Sequence, residues 1–234
     1  MLPTLHHAPH SPRRQRIRVL RGRIGLGLVA GLSVLAGMTD AIGFMATGDF
    51  VSFMSGNTTR LAIAISEGDL TLVLRLTVVV MAFIVGNAAG VILGRLGGRR
   101  ALPLMLAVAT LLCIGAALPL ASTFATLILA VIAMGMLNAV VEQVNGLPVG
   151  LTYVTGALSR FGRGLGRWIL GERKDGWRVQ LIPWAGMLVG AILGALLEIH
   201  LGIRALLVSA LLAAILGLIA LSIPPRWQMG YRLR

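Results

Sequence analysis

Apolar runs dominate the chain, at residues 24–45, 72–94, 102–120, 125–141, 182–199 and 205–223. Each is near the ~20 residues that a helix needs to cross hydrocarbon. The fourth is at the short end, with Glu142 just beyond it. Segments 50–66 and 149–170 differ. They are apolar enough to enter a membrane, yet they carry Gly, Asn, Thr and Arg. The pattern predicts an all-α membrane protein: six spanning helices plus two segments that dip in or break.

The polar positions repeat. The stretch 36–60 puts Asp40, Asp49, Asn57 and Arg60 inside or between apolar runs. An unpaired polar group there costs several kcal/mol. A second copy follows about one hundred residues later. Gly37-Met38 matches Gly135-Met136, and Asp40-Ala41 matches Asn138-Ala139. Ser55-Gly56 matches Thr155-Gly156, and Arg60 matches Arg160. Glycines at every fourth position, Gly86, Gly90 and Gly94, recur as Gly186, Gly190 and Gly194. That spacing clears one helix face for close backbone approach. These two helices are expected to meet at a pseudo-two-fold axis, or each to clasp its own broken segment.

Charge selects the topology. With six spans, 17 of the 21 Lys+Arg fall in segments on one side. These are the run 13–23, Arg95 to Arg100, Arg163 to Arg178, and the C-terminal arginines. Cytoplasmic segments carry such an excess, so both termini are expected in the cytoplasm of a bacterial inner membrane. Glu67 and Asp69 then face outward, and Trp168, Trp177, Trp184 and Trp227 fall beside the cytoplasmic interface. Eight spans would put Arg95, Arg99 and Arg100 outside. Residues 24–123 and 124–223 thus form two repeats of three spans each. The odd number inverts the second relative to the first, as in many transporters. Tails 1–23 and 224–234 flank them, the first with little fixed structure expected because of Pro3, Pro9 and Pro12.

Composition agrees: 57% hydrophobic and 12% charged residues describe a membrane chain. The net charge of +13 has no nucleic-acid motif beside it and is accounted for by orientation in the bilayer. Cys113 is the one cysteine and cannot form an intrachain disulfide. No metal-binding pair such as H-E-x-x-H occurs, and His200 is the one histidine outside the tail. The spaced glycines of 161–168 lack a preceding strand and an acidic partner, so they are no dinucleotide fingerprint. No enzyme activity, cofactor or metal is expected. The expected partners are the lipid bilayer and a small solute, with no nucleic acid and with self-association left open.

The strings TDAIGF, SGNTTRLA and TYVTGALSR resemble the YoaK-type family of bacterial integral membrane proteins, over nearly all of the chain after the basic tail. The chain departs from that family's Thr-Gly-Asn at Ser55, which keeps the hydroxyl, and at Ala157, which loses the amide. The resemblance implies an integral membrane protein and carries no settled biochemical activity.

Arg60 and Arg160 are the sharpest candidate site residues. A guanidinium at membrane depth needs a carboxylate, a carbonyl cage or an anion. Asp40 is the expected partner of Arg60. Asn138 holds the equivalent place beside Arg160, with Glu142 one turn further on. Ser55, Asn57 and Thr155 mark helix starts, where free N–H groups cap or accept an anion. The two arginines are expected to face a shared polar cavity. The favoured reading is a transporter or channel for a small solute, with an anion the leading class. The alternative is a non-transporting scaffold or sensor whose repeats are purely structural.

Overall fold

A computed structural model of the chain describes residues 12–97, 101–145, 154–173 and 176–221, with side chains from Gly25 in the first helix and through Asn138 in the fifth. The described residues are helical, joined by tight turns. In chain order the helices are α1 (Pro12–Thr47), α2 (Met54–Glu67), α3 (Leu70–Leu96) and α4 (Ala101–Ala117). Then come α5 (Thr123–Asn145), α6 (Val154–Ile169), α7 (Leu181–Leu201) and α8 (Leu206–Leu221).

The helix α1 starts earlier than the prolines of the tail suggest. Pro12 is its first residue, where the missing N–H costs nothing, and the straight-chain Arg and Gln residues after it are good helix formers. The expected loose tail 1–23 is therefore helical from Pro12 onward. Residues 1–11 and 222–234 lie outside the described residues.

Four stretches are long and apolar enough to span a membrane: Gly25–Thr47, Leu70–Leu96, Leu120–Asn138 and Arg178–Leu221. The last contains both α7 and α8, and the shorter apolar α4 lies apart from these four. Polar side chains inside α1 are satisfied locally. Ser33 and Thr39 donate their hydroxyls to the carbonyls of Val29 and Leu35, at 2.8 and 2.9 Å. Turns end the helices where sequence chemistry allows it. Gly68 takes a left-handed φ of 74° and closes α2, its N–H on the Ile65 carbonyl and the next N–H, of Asp69, on Ala64. The Asp69 carboxylate then caps α3 by accepting from the Leu72 N–H at 3.0 Å.

The centre is built from α1, α4, α5 and α8, which supply fully buried Leu35, Ile42, Leu104, Leu112, Leu137 and Leu206. Around it the helices pair across the repeats: α7 lies along α1, and α3 lies along α5. Across the repeats α4 also packs on α5 and α8 on α1, while within each repeat α2 lies on α3 and α6 on α7. If the first four helices are matched in order to the last four, every one of these contacts maps onto another.

The glycine stripes make the exchange possible. A Cβ on Gly190 would run into the Val34 backbone, and one on Gly194 into the Met38 backbone. From the facing side, Gly37 meets the backbone of Met187 and Ala191. The other pair is the same. Gly86 abuts the Ile132 backbone, while Gly135 abuts Phe83 and Asn87. Gly90 and Gly94 are buried on the same face of α3 as Gly86. The stripes therefore neither meet each other nor clasp α2 and α6. Each packs on the first helix of the opposite repeat, because Gly37 and Gly135 supply the second half of a glycine-to-glycine crossing there.

Candidate functional site

The first polar cluster is built where α1 breaks. Gly48 adopts a left-handed φ of 77°, and its N–H bonds the Phe44 carbonyl at 2.7 Å. The chain then doubles back through residues 49–53 into α2. This buried turn leaves N–H groups that no helix satisfies. Asp40 supplies the acceptor. Its Oδ1 takes the N–H groups of Val51 at 2.8 Å and Ser52 at 2.7 Å. Asn57 closes the turn from the other side. Its Oδ1 accepts from the Phe50 N–H at 3.1 Å, and its Nδ2 donates to the Phe50 carbonyl at 2.7 Å. Phe44 stacks on Phe50 with ring centroids 4.5 Å apart, and Phe53 packs edge-on to Phe50 at 5.2 Å. Both Asp40 and Asn57 are buried, and these four bonds all go to backbone.

Arg60 does not pair with Asp40, as its sequence position suggests, but with Asp49. Its Nη1 reaches Asp49 Oδ1 at 2.6 Å and the Gly48 carbonyl at 2.7 Å. Arg75, from α3, takes the other carboxylate oxygen: its Nε is 2.5 Å from Asp49 Oδ2, and its Nη2 is 3.0 Å from the Thr47 carbonyl. Arg75 also lies over the Phe124 ring, 5.4 Å from its centroid. Two guanidinium groups thus share one carboxylate and cap the last carbonyls of α1, the end where a cation is favoured. Asp49 is 1% exposed, but the arginines are 34% and 36% exposed, so the excess positive charge opens outward. Arg75 belongs to the cluster although sequence reasoning left it out of the site. The available signal was a lone charge inside an apolar run, which needs a partner.

The second cluster differs at every step. Asn138 stands where Asp40 stands, and its Oδ1 is buried with no hydrogen-bond partner among the described residues. Residues 146–153 and the side chain of Glu142 lie outside the described residues. Thr155 is exposed in the first turn of α6. Arg160 donates from Nε to Gln180 Oε1 at 2.7 Å, a neutral partner just before α7. Arg60 and Arg160 therefore share no partner: one is held among α1, α2 and α3, the other between α6 and the start of α7. The side chain of Ser55 is exposed at the start of α2.

Outside these clusters the molecule presents apolar side chains. Leu74, Met81, Val85 and Ile92 of α3, and Leu188, Ile192, Leu196 and Ile199 of α7, are exposed. Helices this long with such a surface belong in hydrocarbon, since water would not tolerate so large an apolar face. Among the described residues no group of His, Cys, Asp or Glu is placed to hold a metal ion. The fold and its surface define a polytopic α-helical membrane protein.

Comparison with known proteins narrows this class. Residues 28–219 match the family of proteins of unknown function DUF1275, and the chain belongs to that family. A UPF0700 transmembrane protein of Rhizobium meliloti (strain 1021) is 51% identical over 219 residues, which cover 94% of this chain and 96% of the relative. No solved structure matches the chain.

Proposed function

We propose that this protein moves a small anionic solute across the bacterial inner membrane, by channel or alternating access. The spans are α1, α3, α4, α5, α7 and α8, in two inverted repeats, with both termini cytoplasmic and α2 and α6 not spanning. The observation that carries the reading is the Asp49 cluster, where two guanidinium groups answer one carboxylate and each is about a third exposed. A net cation at the broken end of a membrane helix attracts anions, and a guanidinium fork matches a carboxylate or phosphate. Packing exchanged between repeats supports the two-fold part of the reading. Asp40, Asn57 and Ser55 build the first site, while Arg160, Asn138, Thr155 and Glu142 belong to its counterpart. The YoaK-type resemblance of both segments fits this assignment, and no catalytic step belongs to it.

A panel of small anions and cations, screened for thermal stabilisation of the purified protein, tests the claim, because a ligand bound only by the folded state raises its stability. Anion-selective stabilisation lost in Arg75→Gln supports it. Stabilisation by no anion, alongside no anion flux in proteoliposomes, removes it. Topology is checked by labelling Glu67→Cys and Gly98→Cys from outside, on a background without Cys113. Labelling at 98 but not at 67 would overturn the six-span arrangement.

A second reading has its own support. Asp40 and Asn57 spend their polar atoms on the turn they build. A scaffold or sensor that moves nothing would need that and no more.

A further inference from the structure

Beyond Arg160 and Thr155, the helix α6 carries a surface that the proposed transport site does not use. At about 100° per residue, its sequence sorts into arcs. Arg160, Arg163 and Arg167 fall on one side with Ser159, while Leu158, Leu165 and Ile169 fall on the other. Between them a ridge of Ala157, Phe161 and Trp168 faces the protein. Ala157 is 1% exposed, and Phe161 and Trp168 lie 5.0 and 6.5 Å from the Trp177 ring that precedes α7. The leucines and Ile169 are exposed, so the apolar flank has no cover among the described residues.

The charge of the region is as lopsided. Residues 154–180 carry five arginines and Lys174 against Glu172 and Asp175, a formal excess of four positive charges. Arg160 bonds the neutral Gln180, and Arg163 bonds the neutral Ser159 hydroxyl at 2.8 Å. Arg173 and Arg178 lie over the rings of Trp168 and Trp177, 5.4 and 5.3 Å from their centroids. No salt bridge to these arginines occurs among the described residues.

We infer that α6 lies flat in the membrane–water interface and binds anionic phospholipid. Its leucine flank enters the acyl boundary, its arginine flank meets the phosphates, and the Trp168–Trp177 pair sits at headgroup level. A basic face opposite a Leu/Trp face is what such interfacial helices carry, and indole rings favour that depth. A helix that dipped into the hydrocarbon would have to bury Arg160 and Arg163 beside neutral partners, at several kcal/mol each. The inference needs the chain to be a membrane protein but does not depend on what it transports.

The test uses the full-length protein with Trp184→Phe and Trp227→Phe, so that Trp168 and Trp177 report alone. It is placed in nanodiscs of phosphatidylcholine containing an equal minor fraction of either brominated phosphatidylglycerol or brominated phosphatidylcholine. The anionic brominated lipid should quench tryptophan emission more strongly. Raising the salt should weaken that preference. Arg163→Gln with Arg167→Gln should lower the enrichment by up to about fivefold per arginine removed, and Lys at both positions should restore it. Salt dependence in the unsubstituted arginine protein keeps the test decisive if the Gln variant does not fold. Equal quenching by the two lipids at low salt, or a preference that survives the Gln substitutions, would overturn the inference. Absence of quenching by both lipids, with Trp168 crosslinked to a second copy, would overturn it too and assign the surface to self-association.

Discussion

The helices α2 and α6 stand at the same place in two copies of one pattern, yet they solve opposite problems. In the first copy the chain breaks inside the protein, so its polar groups turn inward. Asn57 is buried on the Phe50 backbone and Arg60, about a third exposed, is held on Asp49, while Ile63 and Ile65 are exposed. In the second copy Ala157 is the buried residue, and the arginines keep neutral partners at the surface. In the first copy the buried carboxylate of Asp49 holds two cations at the break. In the second copy Arg160 and Arg163 instead bond the neutral Gln180 and Ser159 side chains. The copies agree at the helix crossings and part at the break.

The agreement can be tested hardest. Gly37→Leu and Gly135→Leu each push a side chain into the backbone of a neighbouring helix, α7 or α3. Since backbone cannot give way as a side chain does, each should exceed the ~1–3 kcal/mol of ordinary overpacking. Both should show as lost folded yield and a lowered Tm in detergent. One tolerated and the other not would mean that the two crossings are not equivalent.

The next contrast is at the turn. Asp40→Ala leaves the buried N–H groups of Val51 and Ser52 without an acceptor, which should cost about 2–4 kcal/mol. Asn138→Ala removes an oxygen with no partner among the described residues and should cost less than ~1 kcal/mol. Thermal unfolding of the pair measures the difference, and equal losses would show that Asn138 is spent on its surroundings as fully as Asp40.

Smaller effects follow at the ion pairs. Asp49→Ala strands two arginines, but both are about a third exposed, so the loss should be about 2–3 kcal/mol rather than the full value for a buried pair. Gln180→Ala frees only the half-buried Arg160 from a neutral partner and should fall within ~1 kcal/mol. Denaturation midpoints of the two variants should differ in that order. The reverse order would break the contrast.

The smallest effect has opposite signs in the two helices. A Cβ at Gly162 meets nothing within 4 Å, so Gly162→Ala should stabilise α6 by about 0.5–1 kcal/mol through backbone entropy. At Gly56 of α2 the same group would strike the rings of Phe53 and Phe50, so Gly56→Ala should destabilise. Paired melting curves show whether the signs differ.

The sequence alone determined the class of the molecule, the apolar helices and the doubled polar pattern. Those properties are local: the length of a greasy run and a four-residue glycine spacing need no knowledge of the rest of the chain. The faces those glycines would present were legible for the same reason. What lay against them was not. Only tertiary structure decided that Gly190 meets Val34 and Gly86 meets Ile132, because the partner helix comes from the other repeat. The partner of Arg60 was decided in the same way. Asp40 is buried and looks free in the sequence, but the turn after Gly48 takes its oxygen for Val51 and Ser52 and swings Asp49 toward Arg60. Arg75 joins from the second turn of another helix, α3. A charge at membrane depth must find a partner, and sequence shows that need. The backbone path determines which residue meets it.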